Sequence, residues 1–264
     1  MQDMDNICLR HSSCNLTVTP TCVQDIYGLP SKLASGKTTG IAVSGFNNEF
    51  ANEADLQLFL QEYRPDLNSS TTFRFKSVDG GTNSQNESLA GSEADLDTQW
   101  TVGLASGVPV TFYSVGDVNG QSGLDVHIDL ANTLLSEDDP PQVLTTSYSF
   151  DEPTISPSMT MTLCRDGGVV GGVGLYNASG RAFPDVSAQG ADMVSIYQGN
   201  ERPGGGTSFA APVIASTIAL LNDELSAAGK APLGFLDPLI YSSPDAFRDV
   251  TRGSYLLLMS QPFV

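Results

Sequence analysis

The residues best suited to chemistry lie in the glycine-rich stretch at 204–212, which reads Gly-Gly-Gly-Thr-Ser-Phe-Ala-Ala-Pro. The run after it is rich in Ala, Leu and Ile, and we predict a helix here that ends at Gly229 as its C-cap. Ser208 then stands where a glycine turn becomes a helix, and Pro212 is expected within the first turn. At this point the unpaired backbone N–H groups and the helix dipole favour a developing negative charge. A serine in this position is a candidate nucleophile.

Two other interpretations of this stretch are open from the residues alone. Serine is a common N-cap residue, and Ser208 could have that role without any catalysis. The glycines also suit a phosphate-binding loop, although no lysine follows them as it does in a P-loop. The choice depends on whether the chain provides a base for the serine.

A second group of reactive side chains lies in residues 88–105, which we predict to be a helix containing Glu93 and Asp97. A spacing of four residues places both carboxyl groups on one face, with Cβ atoms about 5–6 Å apart. Two like charges at this spacing repel each other. The pair is therefore either a solvated acidic face or a carboxyl pair in which one member keeps a proton and the other serves as general base.

Histidine is the usual base for a serine nucleophile, and the chain has two, His11 and His127. His11 lies in an irregular segment rich in Cys and Ser. His127 lies in a predicted amphipathic helix beside Asp125 and Asp129. Neither residue has the glycine-flanked setting of a subtilisin histidine, so a carboxylate base is favoured.

The elements that must position these groups follow an alternating pattern. Strands are predicted at 40–46, 73–78, 108–115 and 142–148 and helices at 52–64, 88–105 and 124–135, whereas residues 1–30 are predicted to be loop. Strands that alternate with helices indicate an α/β fold, a doubly wound parallel sheet with helices on both faces.

Several motifs together resemble the sedolisin family, the serine-carboxyl peptidases of the subtilisin-like superfamily. The Gly-Thr-Ser-x-Ala-x-Pro string around Ser208 is similar to the family's nucleophile segment, and residues 91–100 are similar to its Glu-x-x-x-Asp helix. Segments 141–148 and 180–187 are also similar to family segments. The resemblance extends from about Cys14 to Thr251 and is greatest to the secreted tripeptidyl-peptidase branch.

The resemblance implies an acid-acting peptidase with a subtilisin-like sheet, which cleaves peptides or proteins through an acyl-enzyme. It implies that Ser208 is the nucleophile, that Glu93 is the general base and that Asp97 holds and tunes Glu93. Asp166, in the sequence Asp-Gly-Gly, matches the aspartate that donates a hydrogen bond to the oxyanion.

The chain departs from the family pattern around 164–174 and after 251. The family carries more chain on both sides of Asp166, including sheet strands, so we expect an incomplete sheet within one catalytic domain spanning 1–264. Asp249 and Val250 match half of the family's calcium site, and half a site is expected to bind Ca²⁺ weakly or not at all. Asp249 is otherwise a turn residue. The alternative function is a catalytically inactive homologue, with internal and C-terminal deletions, that at most binds peptides.

Composition restricts the partners and the compartment. There are 12 Lys and Arg residues against 30 Asp and Glu, a net charge of −18, which argues against nucleic acid or an anionic membrane as partner and suits an acidic environment. Residues 1–25 contain no apolar signal segment, and the family's prodomain is not found in the chain; we expect a monomer. Cys14 and Cys22 bracket a short turn that contains proline and could form a local disulfide, but the pairing of Cys8, Cys14, Cys22 and Cys164 is open from the sequence. Four glycosylation sequons favour an extracellular location, at Asn15, Asn68, Asn86 and Asn177.

Overall fold

The structure is a computed structural model that describes residues 12–36, 38, 40–116, 124–149 and 184–248. The chain divides into two compact units, Met1–Pro232 and Leu233–Val264. Ser208, Glu93 and Asp97 all belong to the first unit. The expectation of a single catalytic domain stays a prediction.

In the part of the chain that the structure describes, the first unit is built on a four-stranded parallel sheet with the strand order β2-β3-β1-β4. The strands are β1 Ile41–Gly45, β2 Arg74–Val78, β3 Val110–Val115 and β4 Val143–Thr145. All five residues of β1 are buried, because β1 lies between two neighbouring strands and has helices on both faces. A fully covered strand of this kind reads as a continuous apolar run, which is how it is recognised in the sequence.

Within the described residues, five helices of the same unit cover both faces of the sheet: α1 Pro20–Tyr27, α2 Glu53–Tyr63, α3 Ser92–Leu104, α4 Leu124–Ser136 and α5 Thr207–Ala227. One core contains Ile41, Val43 and Phe112 together with residues of α2, α3 and α5. The other contains Ala42 and Tyr113 together with residues of α4. Successive residues of β1 thus point into different cores, and the predicted α/β fold is confirmed.

The structure corrects several sequence predictions. The loop predicted over 1–30 is wrong, because Pro20 starts helix α1, which ends at Gly28 in the left-handed conformation with φ 64°. The third helix begins at Ser92 rather than 88, after a short 3-10 turn at Glu87–Leu89. Strand β4 stops at Thr145 and leaves residues 146–148 in a loop. An antiparallel hairpin of β5 Met193–Tyr197 and β6 Asn200–Gly204 was not predicted.

Pro212 does not lie in the first turn of its helix, contrary to the prediction. Helix α5 starts at Thr207, so Pro212 is its sixth residue and stands inside the helix. A proline there has no N–H to donate to the carbonyl four residues earlier, which is that of Ser208. The prediction that Gly229 is the C-cap of this helix is wrong by one residue. Ala228 is the C-cap and Gly229 follows it with φ 70°.

Helix α3 is anchored to its neighbours through buried side chains. The indole Nε1 of Trp100 donates to the carbonyl of Val194 at 2.8 Å, and its ring packs on Phe59 and Phe209. The amide of Gln99 donates to the carbonyl of Ile196 at 2.7 Å and accepts from its N–H at 2.8 Å. These contacts fix α3 against β5 and α5, so the two helices that carry the candidate residues are held in register.

The second unit contains helix α6 Asp237–Ser242 and a 3-10 turn at Pro244–Ala246. Across the described residues of both units, no helix combines the length and apolarity needed to cross a membrane.

Candidate active site

Ser208 lies at the start of α5, as predicted, directly after a tight glycine turn. Gly206 has φ 146°, which favours glycine, and its N–H donates to the carbonyl of Gly190 at 2.7 Å. A Cβ atom on Gly190 would lie 2.7 Å from the carbonyl oxygen of Gly206. The two backbone segments can therefore approach this closely only with glycine at position 190. Ser208 is half-buried, and the next residue, Phe209, is buried against Trp100. The turn therefore presents the serine beside α3.

The structure brings Ser208, Glu93 and Asp97 together. The half-buried carboxyl group of Glu93 lies beside the Ser208 hydroxyl, which acts to lower the pKa of that carboxyl. Asp97, one turn further along α3, is fully buried. Its Oδ1 accepts a hydrogen bond from the hydroxyl of Ser147 at 2.9 Å. Glu93 is thus half-buried and Asp97 fully buried, so the two carboxyl groups do not form a solvated acidic face.

Ser147 links the two helices of the site. Its hydroxyl donates to Asp97 and also lies 3.5 Å from the carbonyl oxygen of Ser208. Pro212 leaves that carbonyl without its normal helical partner, so a polar group from outside the helix can approach it. The pKa of Glu93 is also lowered by a hydrogen bond to Ser147, but a hydroxyl has one proton and donates to one carboxyl at a time.

Burial controls the charge of the carboxyl pair. It raises the pKa of Asp97 well above its ordinary value, and the neighbouring charge of Glu93 raises that pKa further, against the hydrogen bond from Ser147. Burial also raises the pKa of Glu93, and the hydrogen bond from Ser208 opposes this. Two oxygens, Glu93 Oε1 and Asp97 Oδ2, are buried without a hydrogen-bond partner among the described residues. The pair therefore keeps one proton to higher pH than isolated carboxyl groups would, and it titrates as a coupled unit.

A second buried carboxyl pair, Asp55 and Asp95, lies on the other side of the N-terminal turn of α3. Asp55 accepts hydrogen bonds from the backbone N–H groups of Gln198 and Gly199, both at 2.8 Å. Asp95 accepts from Asn52 N at 2.6 Å, while its Oδ2 is buried and receives no hydrogen bond from the residues that the structure describes. Burial raises the pKa of Asp95 to about 9, and the adjacent Asp55 carboxylate raises it as well. When Asp95 is protonated, its carboxyl O–H can donate a hydrogen bond to Asp55. Two ionised carboxylates cannot form this hydrogen bond, because neither has a proton to donate.

Sequence reasoning missed three residues around the site: Glu49, Ser147 and Tyr148. Glu49 follows β1, and the other two follow β4. The Tyr148 hydroxyl is buried without a partner among the described residues, and its pKa is raised by burial and by the charges of Glu49, Asp97 and Glu93. The signal that could have found all three is their position after strands of a parallel sheet, since ligand sites form at the carboxyl ends of such strands.

The other residues predicted from the sequence are not found beside Ser208, Glu93 and Asp97 in the described part of the chain. Asp166, Asp249 and Val250, and also His11, lie outside the described residues. Within the described part of the chain, no group of three or more His, Cys, Asp or Glu side chains is placed to hold a metal ion. His127 packs its ring on Phe46 with a centroid distance of 4.4 Å. Cys14 and Cys22 form a disulfide, a pairing that the sequence allows as one possibility, whereas Cys8 and Cys164 lie outside the described residues.

Comparison with known proteins identifies relatives of this chain. No protein-family model matches it. It is 26% identical to tripeptidyl-peptidase SED4 of Arthroderma otae and 27% identical to tripeptidyl-peptidase SED2 of the same fungus, with 91% and 92% of this chain covered. Among solved structures, Pseudomonas sedolisin, a serine-carboxyl proteinase complexed with two molecules of pseudo-iodotyrostatin, matches with a TM-score of 0.65. The match covers 89% of this chain and 88% of that one at 19% identity.

The chain spans 57% of the length of that SED4 protein and 58% of that SED2 protein. The two alignments extend over 347 and 349 positions, more than the 264 residues present here, so these relatives carry internal segments that this chain lacks. The predicted internal deletions agree with this difference. The likeness to Pseudomonas sedolisin shows the fold, and the curated homologues are tripeptidyl-peptidases. The chain therefore has the fold of Pseudomonas sedolisin and is similar in sequence to curated tripeptidyl-peptidases.

Proposed function

We propose that this chain is a serine-carboxyl peptidase that hydrolyses peptide bonds at acid pH through an acyl-enzyme on Ser208. The observation that carries the proposal is the position of Ser208 beside Glu93 and the fully buried Asp97, with Ser147 bonded to Asp97 and 3.5 Å from the Ser208 carbonyl oxygen. A serine hydroxyl is a weak nucleophile until an adjacent base accepts its proton. Glu93 is the carboxyl group beside Ser208 that can do so.

In the proposed mechanism, ionised Glu93 takes the proton of Ser208 as the serine oxygen attacks the carbonyl carbon of the peptide. Protonated Glu93 then gives this proton to the leaving amine, and the acyl-enzyme forms. Water hydrolyses the acyl-enzyme by the same steps in reverse. Asp97 keeps its own proton, so that Glu93 can ionise without a second charge beside it. Asp166 is expected to donate to the oxyanion, as the family resemblance implies.

Two features support a secreted protein that acts on extracellular peptides. The Cys14–Cys22 disulfide suits an oxidising compartment. Three of the four sequon asparagines, Asn15, Asn68 and Asn86, are exposed, which glycosylation requires. We propose removal of tripeptides as the reaction, on the basis of the names of the curated homologues.

The second candidate is an inactive homologue, which the internal segments missing from this chain favour. Active-site labelling separates the two functions. A fluorophosphonate probe applied at acid pH should add one mass increment to the wild-type chain and none to Ser208→Ala. The matched control is Ser226→Ala near the other end of α5, which should label normally. A folded wild-type chain that takes up no probe would support the inactive homologue.

The pH profile of kcat/KM is expected to be bell-shaped with its optimum well below neutrality. Activity should fall as the pH drops through the pKa of Glu93, because protonated Glu93 cannot accept the serine proton. It should fall again at higher pH, where the carboxyl groups that must stay protonated lose their protons. Steady-state kinetics from pH 3 to 9 would test this, and an optimum near pH 8 would exclude a carboxylate base.

A further inference from the structure

We propose that Glu49 is a positioning residue for Glu93: it holds the first turn of α3 in place and keeps a negative charge beside the base. This inference rests on the proposed role of Glu93 as base. Glu49 is not on α3 but in the loop that follows β1, so it joins the carboxyl end of the sheet to the helix that carries the carboxyl pair.

The geometry of the contact is specific. Oε2 of Glu49 accepts hydrogen bonds from the backbone N–H of Glu93 at 2.7 Å and from that of Ala94 at 3.1 Å. The N-cap residue of α3, Gly91, has no side chain that could satisfy these groups. A helix normally takes such a hydrogen bond from its own N-cap residue. Here the carboxylate of Glu49, which comes from the loop after β1, replaces the side chain of an N-cap residue. It accepts a hydrogen bond from the backbone N–H of Glu93, the proposed base.

Gly91 makes room for this acceptor. A Cβ atom at Gly91 would lie 2.6 Å from both Cβ and Oε2 of Glu49, which is closer than real Cβ contacts allow. The backbone keeps the two segments together, since Gly91 N donates to the carbonyl of Phe50 at 2.9 Å. The half-buried Glu49 side chain is therefore fixed over the helix N-terminus, and its charge is held at a constant position relative to Glu93.

The negative charge of Glu49 changes the pKa of Glu93, which a neutral capping residue would not do. The groups that influence Glu93 are Asp97 on α3, Ser147 after β4, Ser208 on α5, Arg202 on β6 and Glu49. Glu49 raises the pKa of Glu93, whereas Arg202 lowers it. The charge of Glu49 also raises the pKa of Asp97 and Tyr148. Removing one negative charge at Glu49 should thus lower the pKa of Glu93 without breaking the hydrogen bonds to the helix.

The test is Glu49→Gln in the full chain, because the glutamine oxygen still accepts from the two N–H groups. The carboxyl carbon of Glu93 is titrated by ¹³C NMR and assigned as the signal that disappears in Glu93→Gln. We expect the pKa of Glu93 to fall by about 0.5–1 unit, at the lower end of the effect of a nearby charge because the site is half-exposed. The matched control is Glu53→Gln, an exposed glutamate in the first turn of α2, which should leave this pKa unchanged.

Two further measurements separate positioning from a structural role. Glu49→Ala removes both charge and acceptor and should also lower the melting temperature, whereas Glu49→Gln should leave it within the range of the control. In kinetics, Glu49→Gln should move the acid limb of the kcat/KM profile to lower pH. An unchanged pKa of Glu93 in Glu49→Gln would overturn the inference. The titration does not depend on turnover, so peptidase activity that persists in Glu93→Gln would instead refute the proposed function.

Discussion

Replacing Ser208 with Ala, or Glu93 with Gln, should lower kcat/KM for a peptide substrate by at least about 10³-fold, since removing a member of a nucleophile–base unit costs at least that much in serine peptidases. Ser208→Ala removes the attacking oxygen. Glu93→Gln keeps the shape of the side chain and its acceptor oxygen but cannot take a proton. Both variants should fold, because each changes a half-buried group without leaving a large cavity. Steady-state kinetics at the pH optimum measures the effect.

The double variant is the sharper experiment. If Ser208 and Glu93 act as one unit, combining the two substitutions should be hardly worse than either one alone. Losses that multiply would contradict the assignment. His127→Ala is the control, because its ring packs on Phe46 in the core that contains α4 residues. A collapse of activity in His127→Ala, with folding intact, would support a histidine base instead.

The stability of the fold should decrease as the pH rises from about 4 to 9, with Asp95 as a major cause. The pKa of Asp95 is raised to about 9 in the folded chain, against 3.8 for an ordinary aspartate. Between these two values the folded chain keeps a proton that the unfolded chain has released. The free energy of unfolding therefore falls with increasing pH in this range. Each pKa unit of difference between the folded and unfolded chain corresponds to about 1.4 kcal/mol. The free energy of unfolding should therefore fall by several kcal/mol over this pH range. A domain is stabilised by only roughly 5–15 kcal/mol in total.

Asp95→Asn tests this prediction. An asparagine can accept from Asn52 N and donate to Asp55 at any pH, so the contribution of residue 95 no longer varies with pH. Urea unfolding at several values from pH 4 to 8 should give a pH slope that is shallower than in the wild type by up to one proton, about 1.4 kcal/mol per pH unit. The control is Asp138→Asn, an exposed residue that should keep the wild-type slope. Equal slopes in Asp95→Asn and the wild type would show that Asp95 is not protonated in the folded chain.

The sequence identifies the local elements of the site because their signals are local. The glycine turn before Ser208 and the four-residue spacing of Glu93 and Asp97 follow from backbone freedom and helix geometry. The alternation of apolar strands with helices likewise predicts the parallel sheet with helices on both faces. A short apolar segment gives a weaker signal. Helix α1 was missed because proline and cysteine residues resemble loop composition, although Pro20 and Gly28 are ordinary start and end signals.

The tertiary structure alone decides which residues meet at the site. Glu93 and Ser208 are 115 positions apart, and only the packing of α3 against α5 brings the hydroxyl to the carboxyl group. Glu49 and Ser147 come from loops after two different strands, so no spacing in the sequence relates them to α3. Burial is also a tertiary property. The same Glu-Ala-Asp-Leu-Asp string would titrate as ordinary carboxyl groups on a solvated helix. It keeps protons at higher pH here because other segments of the fold exclude water from Asp95 and Asp97.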